Sequence, residues 1–189
     1  MKAVPASRYV VFFSLAVGGC LADLVTKSWM FQQLGMPHEQ PVWWIIPRVF
    51  GFQTSLNHGA LFGMGQGLSL LFAGLSVVAA IGVLVWLFYY GAAADWLLTV
   101  ALGLVSAGIF GNLYDRLGLW AWEMGLEEPI CAVRDFILVM IGRWPWPTFN
   151  IADSLLVCGA GLLLYHAFTA QPEDGQPTRD GENGDDRRS

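Results

Sequence analysis

The sequence predicts an all-α polytopic membrane protein with four transmembrane helices, and three observations predict it. Hydrophobic residues make up 55% of the chain and charged residues only 13%, about half the charged share of a soluble globular domain. Nine tryptophans suit a protein with aromatic belts at two membrane–water interfaces. Four apolar segments each reach the roughly 20 helical residues needed to cross a bilayer core of about 30 Å.

The first segment runs from about Tyr9 to Phe31 and the second from Leu68 to Tyr90. Only GAAAD, Gly91 to Asp95, separates the second from the third, which runs from Trp96 to about Leu119. A connection that short makes those two antiparallel neighbours. The fourth runs from Phe149 to Phe168, and the loops 32–67 and 120–148, rich in Pro, Gly and Trp, are too polar to span. From Gln171 onward the chain is charged and rich in Pro and Gly. This predicts a four-helix domain over residues 1–170 and a disordered, acidic cytoplasmic tail over 171–189. The six acids and three arginines of the tail supply −3 of the formal net charge of −5, leaving −2 for the rest. No basic patch suggests nucleic acid, and no run of like charge suggests an acidic substrate. Cys20, Cys131 and Cys158 lack metal-type spacing and are expected to be buried small hydrophobes.

The polar residues of the spans are not scattered. Asp23 and Lys27 lie near the end of the first span, and Asn57 lies just before the second. GNLYDRL (111–117) ends the third with Asn112, Asp115 and Arg116, and FNIADS (149–154) opens the fourth with Asn150 and Asp153. In four antiparallel helices, that order of ends puts every polar group on one side of the membrane and leaves the opposite ends bland. Asp23 and Lys27 are four apart and can pair on one helix face, and the spacings within the third and fourth clusters also share faces. One such group could be interhelical glue; four converging groups make a site. Lys2 and Arg8 before the first span and three arginines after the last put both termini in the cytoplasm, hence the site outside. Arg48, Arg134 and Arg143 in the other loops weaken that charge bias, and the 91–95 loop has neither Lys nor Arg.

The candidate chemistry follows from what stands on the polar side. His38, His58 and His166 offer no serine a partner, which excludes a Ser/His/Asp mechanism. Carboxylates without a His or Cys cluster are a poor metal site. Two carboxylates in a poorly hydrated place remain, drawn from Asp115, Asp135 and Asp153, with Asn57, Asn112, Asn150 and Arg116 nearby. Such a pair holds one proton between its members. The ionised member activates a water and the protonated one donates to the carbonyl oxygen, which is aspartic protease chemistry without a cofactor.

These stretches together resemble the lipoprotein signal peptidases, or signal peptidase II, which are four-span inner-membrane aspartic proteases. DLVTK (23–27), NHGALFG (57–63), GNLYDRL (111–117), AVRDFI (132–137) and FNIADS (149–154) resemble five motifs of that family, in its order. The resemblance implies Asp135 and Asp153 as the catalytic pair, with Asp115 the rival for the first position, otherwise supporting Arg116 or the helix end. It implies that Asn57, Asn112, Arg116 and Asn150 line the substrate cleft and that Asp23 and Lys27 form a structural pair beside it. It further implies a small extracytoplasmic β-type cradle within about Gln40 to Gly65, with Trp43, Trp44, Ile45 and Ile46 at the bilayer interface. The implied reaction is removal of the signal peptide from diacylglyceryl-modified prolipoproteins, before the lipidated cysteine, at the bacterial inner membrane. Implied partners are those prolipoproteins and membrane lipids, with no cofactor, metal or nucleic acid, and the enzyme is expected to be a monomer.

Two features depart from the family pattern. The stretch between GNLYDRL and Asp135 is longer than usual. Arg134 stands where an apolar residue is usual, and it is expected to point to water from the other face of the chain or else to lower the pKa of Asp135. Two other functions compete. MKAVPASRYVVFFSLAVGGC (1–20) looks like a lipoprotein signal ending at Cys20, but the apolar run continues past it into a full span. Asp23, Asp115 and Asp153 could serve a non-enzymatic ion or proton relay, yet the second span offers such a path only Ser69 and Ser76.

Overall fold

The computed structural model describes residues 4–59 and 65–169; the expected tail and residues 60–63 of NHGALFG lie outside them. Among the described residues, four helices are long and apolar enough to cross a membrane, close to the segments expected. Helix α1 spans Ala6–Leu34, longer than its apolar run and unbroken at Cys20. Helix α2 spans Ser69–Leu84 and continues through a π-helical turn, Val85–Tyr89. Gly91, at φ 77°, turns the chain, and a 3₁₀ turn, Ala92–Ala94, leads to Asp95. Asp95 caps α3 (Trp96–Arg116) by accepting a hydrogen bond from Leu98 N.

The third helix stops at Arg116, short of the expected Leu119, because Gly118 takes φ 71° and starts a separate short helix, α4, over Leu119–Glu123. The last span, α5, covers Ile151–Thr169; Asn150 caps it instead of continuing it, so it starts two residues later than expected. Helix α3 is the hub. Half of its most apolar stretch is buried, against 11–17% for the other three spans. It packs along α1 and α5, and α2 rests chiefly on it. The close approach of α3 to α5 needs Gly108, where an added Cβ would lie 2.5 Å from Ala152 O. Small residues at such contacts let membrane helices meet backbone to backbone.

Beside the polar helix ends lies a four-stranded antiparallel sheet in the order β1 (Trp43–Ile46), β2 (Phe50–Asn57), β3 (Val133–Ile141) and β4 (Trp144–Pro145). The cradle expected in 40–65 is therefore half of a larger sheet. Its register sets Ser55 opposite Asp135 and Asn57 opposite Val133, next to a bulge between Phe52 and Ser55. Trp43, Ile45 and Ile46 are exposed and Trp44 half-buried, as an interfacial edge requires. Phe136 anchors the inner face on Met30 and Leu34 of α1.

Two expectations fail. None of the cysteines is buried: Cys20 and Cys131 are half-exposed and Cys158 is exposed, because their helix faces and loop look outward. Nor is the far end of the bundle bland. Asp95 Oδ2 and His166 Nε2 lie 3.0 Å apart and tie the start of α3 to the end of α5, and Arg8 stacks 4.4 Å from the Trp96 ring centroid.

Candidate active site

Lys27 is the lowest layer of the site. Fully buried, it pairs with Asp23 Oδ2 at 2.7 Å and Asp115 Oδ2 at 3.1 Å, and donates to Asn112 Oδ1 at 2.9 Å. All three ammonium protons thus have acceptors. Asp23 Oδ1 accepts from Ala152 N at 2.8 Å, satisfying one of the free N–H groups of the first turn of α5. Asp115 also accepts from Arg134: from Nε at 3.0 Å, Nη2 at 2.8 Å and the backbone N–H at 2.9 Å. Two carboxylates and two cations, none exposed, make a neutral buried group of four.

The expected behaviour of Arg134 and Asp115 is corrected here. Arg134 does leave β3 on the face opposite Asp135, but it meets Asp115 rather than water and is 0% exposed. Asp115 supports Arg134 and Lys27, not Arg116. Alternation placed Arg134 on the face opposite Asp135, but that face, shared with Phe136, is buried rather than open to water.

Above this layer two amides face two carboxylates. Asn112 Oδ1 accepts from Lys27 and from Asn150 Nδ2 (3.2 Å), which leaves its Nδ2 to donate to Asp153 Oδ1 at 2.9 Å. Asn150 Nδ2 donates to Asp135 Oδ1 at 2.7 Å and to Arg134 O at 3.3 Å. Asn150 and Asp153 also form a reciprocal cap. Asp153 N donates to Asn150 Oδ1 at 2.9 Å, and Asn150 N donates to Asp153 Oδ2 at 3.3 Å, which is the capping-box arrangement. The Asn57 amide hydrogen-bonds to Asp135 from β2, while its oxygen accepts from Gly59 N at 3.0 Å.

Asp135 and Asp153 line one cleft of about 860 Å³, together with Asn57, Asn112 and Arg116. Asp115, Asp23 and Lys27 are beneath it. Trp146–Phe149 and the apolar faces of α3 and α5, at Ile109, Leu156 and Val157, supply most of the remaining wall. Apart from Phe149, the first residue of FNIADS, the 146–149 stretch had no motif to mark it. Burial, followed by the charge of Asp153, holds the Asp135 carboxyl well above the ordinary carboxylate range, with Lys27, Asn150 and Asn57 opposing the shift. Arg116 lies with Cζ 5.9 Å from the Phe72 ring centroid, and its buried Nε has no hydrogen-bond partner among the described residues. Two carboxyl groups held by amides in a cleft with a mostly apolar wall can activate a water against a carbonyl group.

Comparison with known proteins agrees with this geometry. A family model described as signal peptidase (SPase) II matches residues 15–169. A lipoprotein signal peptidase of Rhodopirellula baltica is 50% identical over 88% of this chain and 75% of that one. Those of Aquifex aeolicus and Pseudomonas aeruginosa are 32% and 35% identical, over 86% and 79% of this chain and 88% and 82% of theirs. A solved bacterial membrane enzyme superposes with a TM-score of 0.72 at 25% identity, covering 93% of this chain and 97% of that one.

Proposed function

The chain belongs to the signal peptidase II family, aspartic peptidases that process prolipoproteins in the membrane, and from that premise we propose that Asp135 and Asp153 are its catalytic pair. The observation that carries this is their placement: both line the cleft, and each is held by a separate amide, Asn150 on Asp135 and Asn112 on Asp153. Asp115 is fully buried between Lys27 and Arg134, with no oxygen left for a water or a peptide.

With one proton shared by the pair, the carboxylate takes a proton from a water as that water attacks the scissile carbonyl. The protonated partner donates to the carbonyl oxygen and, as the tetrahedral intermediate collapses, a proton reaches the leaving nitrogen. Asn57 and Asn150 hold Asp135 in place during this exchange, and the unmet Nε of Arg116 is a donor for a substrate carbonyl. The substrate is a prolipoprotein whose cysteine carries a diacylglyceryl group, cut immediately before that cysteine, with the acyl chains along the apolar wall. Its membrane anchor accounts for carboxyl groups sited at the end of transmembrane helices. The cleft opens on the extracytoplasmic face and both termini are cytoplasmic, as Arg8 and the arginines beyond the last span suggest. Nothing in the geometry favours the relay reading.

Cleavage of a diacylglyceryl prolipoprotein in liposomes tests the assignment. Asp135→Asn and Asp153→Asn each abolish it while remaining folded. Asp115→Asn fails differently, through loss of folded protein. Full activity in folded Asp135→Asn or Asp153→Asn contradicts the pair.

A further inference from the structure

We propose that Arg134 is a positioning residue for Asp135, and that helix α4, in the segment between α3 and β3, serves to hold it there. The inference rests on the reading of Asp135 as catalytic. Successive residues of a strand point to opposite faces, so Arg134 works behind the sheet while Asp135 faces the cleft. Three donors of Arg134, two from the guanidinium and one from the backbone, converge on the Asp115 carboxylate. This fixes both the main chain and the side chain of β3 one residue before Asp135. The Arg134 carbonyl accepts from Asn150 Nδ2, the same amide that donates to Asp135 Oδ1. The place of Asp115 on α3 is thus passed to the Asp135 carboxyl through one peptide unit and one amide.

Helix α4 closes over this joint. The Trp120 ring lies 5.1 Å from Arg134 Cζ, and its Nε1 donates to Ala132 O at 3.2 Å. Arg134 Nη1 donates to Ser28 Oγ at 3.2 Å, and Ser28 donates in turn to Glu123 Oε2 at 3.3 Å. Trp120 and Arg134 are both 0% exposed, so α4 shields the pair from water, where it would weaken. Arg134 also makes the buried group neutral. Without it, Asp23, Lys27 and Asp115 would leave one net negative charge behind the strand that carries Asp135.

Arg134 does not line the cleft, so its loss acts on the chemical step rather than on substrate binding. The test is prolipoprotein cleavage in liposomes by full-length Arg134→Gln and Trp120→Phe, beside Asp135→Asn, with folding followed by thermal unfolding. A misplacement of about 1 Å can cost about 100-fold in rate, so Arg134→Gln should lose about 100-fold in kcat. An interaction made only in the transition state leaves KM within about twofold. Trp120→Phe, which keeps an aromatic face but loses the bond to Ala132, shows a smaller fall of the same kind. If Arg134→Gln does not fold, the double variant Arg134→Met with Asp115→Leu removes both charges, leaves Asp23 against Lys27, and is read in the same way. Wild-type kcat in the folded variant, whatever the KM, overturns the positioning role. An unchanged Trp120→Phe removes α4 from it. Activity retained by Asp135→Asn overturns instead the catalytic reading beneath it.

Discussion

Burial and the facing charge of Asp153 raise the Asp135 carboxyl well above the ordinary carboxylate range, and Lys27, Asn150 and Asn57 only partly offset them. The sign of the linked stability follows. A carboxyl raised in the folded state contributes stability below the ordinary carboxylate pKa and loses it as pH rises through the raised value. Between the ordinary carboxylate range and the raised value, the unfolded chain ionises while the folded carboxyl keeps its proton, and the folded state loses stability over that window. Asp135→Asn, whose amide oxygen can still accept from Asn150, should unfold at a higher temperature than wild type in detergent at neutral pH. That difference should widen as pH is raised across the window. A difference independent of pH would contradict the burial of this group. In wild type, cleavage should fall on the alkaline side as the shared proton leaves the pair. Lys27 shows the opposite case. Lys27→Met leaves Asp23 and Asp115 buried with one cation fewer, and breaking such a group costs about 3–5 kcal/mol, which thermal or denaturant unfolding would show as a large loss of folded protein.

At the scale of elements, the α3–α5 contact keeps the amides and carboxyls aligned, since Asn112 reaches Asp153 across it. A Cβ at position 108 would sit 2.5 Å from Ala152 O, a backbone atom that cannot step aside alone, whereas a Cβ at Gly74 of α2 meets nothing within 4 Å. Gly108→Ala should cost about 1–3 kcal/mol, as overpacking does, and lower cleavage by shifting Asn112 from Asp153. Gly74→Ala should leave both unchanged. Equal effects at the two positions would remove the tight contact from the account. The helices were legible in the sequence because lipid demands length and apolarity, both of which a one-dimensional pattern carries. Strand β3 was much less so. VRDFILVMI is mostly buried on both faces, and a strand covered on both sides has no polar alternation to mark it. Its Arg134 therefore read as a residue bound for water. The terminus of α5 was misplaced for a related reason: Asn150 looks like part of the apolar run's first turn until its reciprocal bonds with Asp153 identify it as the cap.

For the molecule as a whole, the alternation of polar ends along the chain was enough to gather Asp23, Lys27, Asn112, Asp115, Asn150 and Asp153 in one place. What sequence could not sort was depth within the group. Asp115 and Asp135 both stand in strong motifs, and only the three-dimensional arrangement puts one against Lys27 and Arg134 and the other in the cleft. The same arrangement predicts topology. Trp144, 80% exposed on the sheet, is on the proposed outer face. In a variant whose native cysteines are replaced by alanine, Trp144→Cys should react with a membrane-impermeant thiol reagent from outside the cell, and a cysteine after residue 170 should not. Reaction of both from one side would contradict four spans, and the reverse pattern would invert the membrane orientation.

In the proposed reaction one cleft binds the lipidated substrate while Asp135 and Asp153 perform the hydrolysis. Its most direct test measures the two steps separately, as equilibrium binding and single-turnover cleavage of a diacylglyceryl prolipoprotein by wild type, Asp135→Asn and Asp153→Asn. Both variants should bind with near wild-type affinity and release no signal peptide. Cleavage by either folded variant at a rate near that of wild type would contradict it.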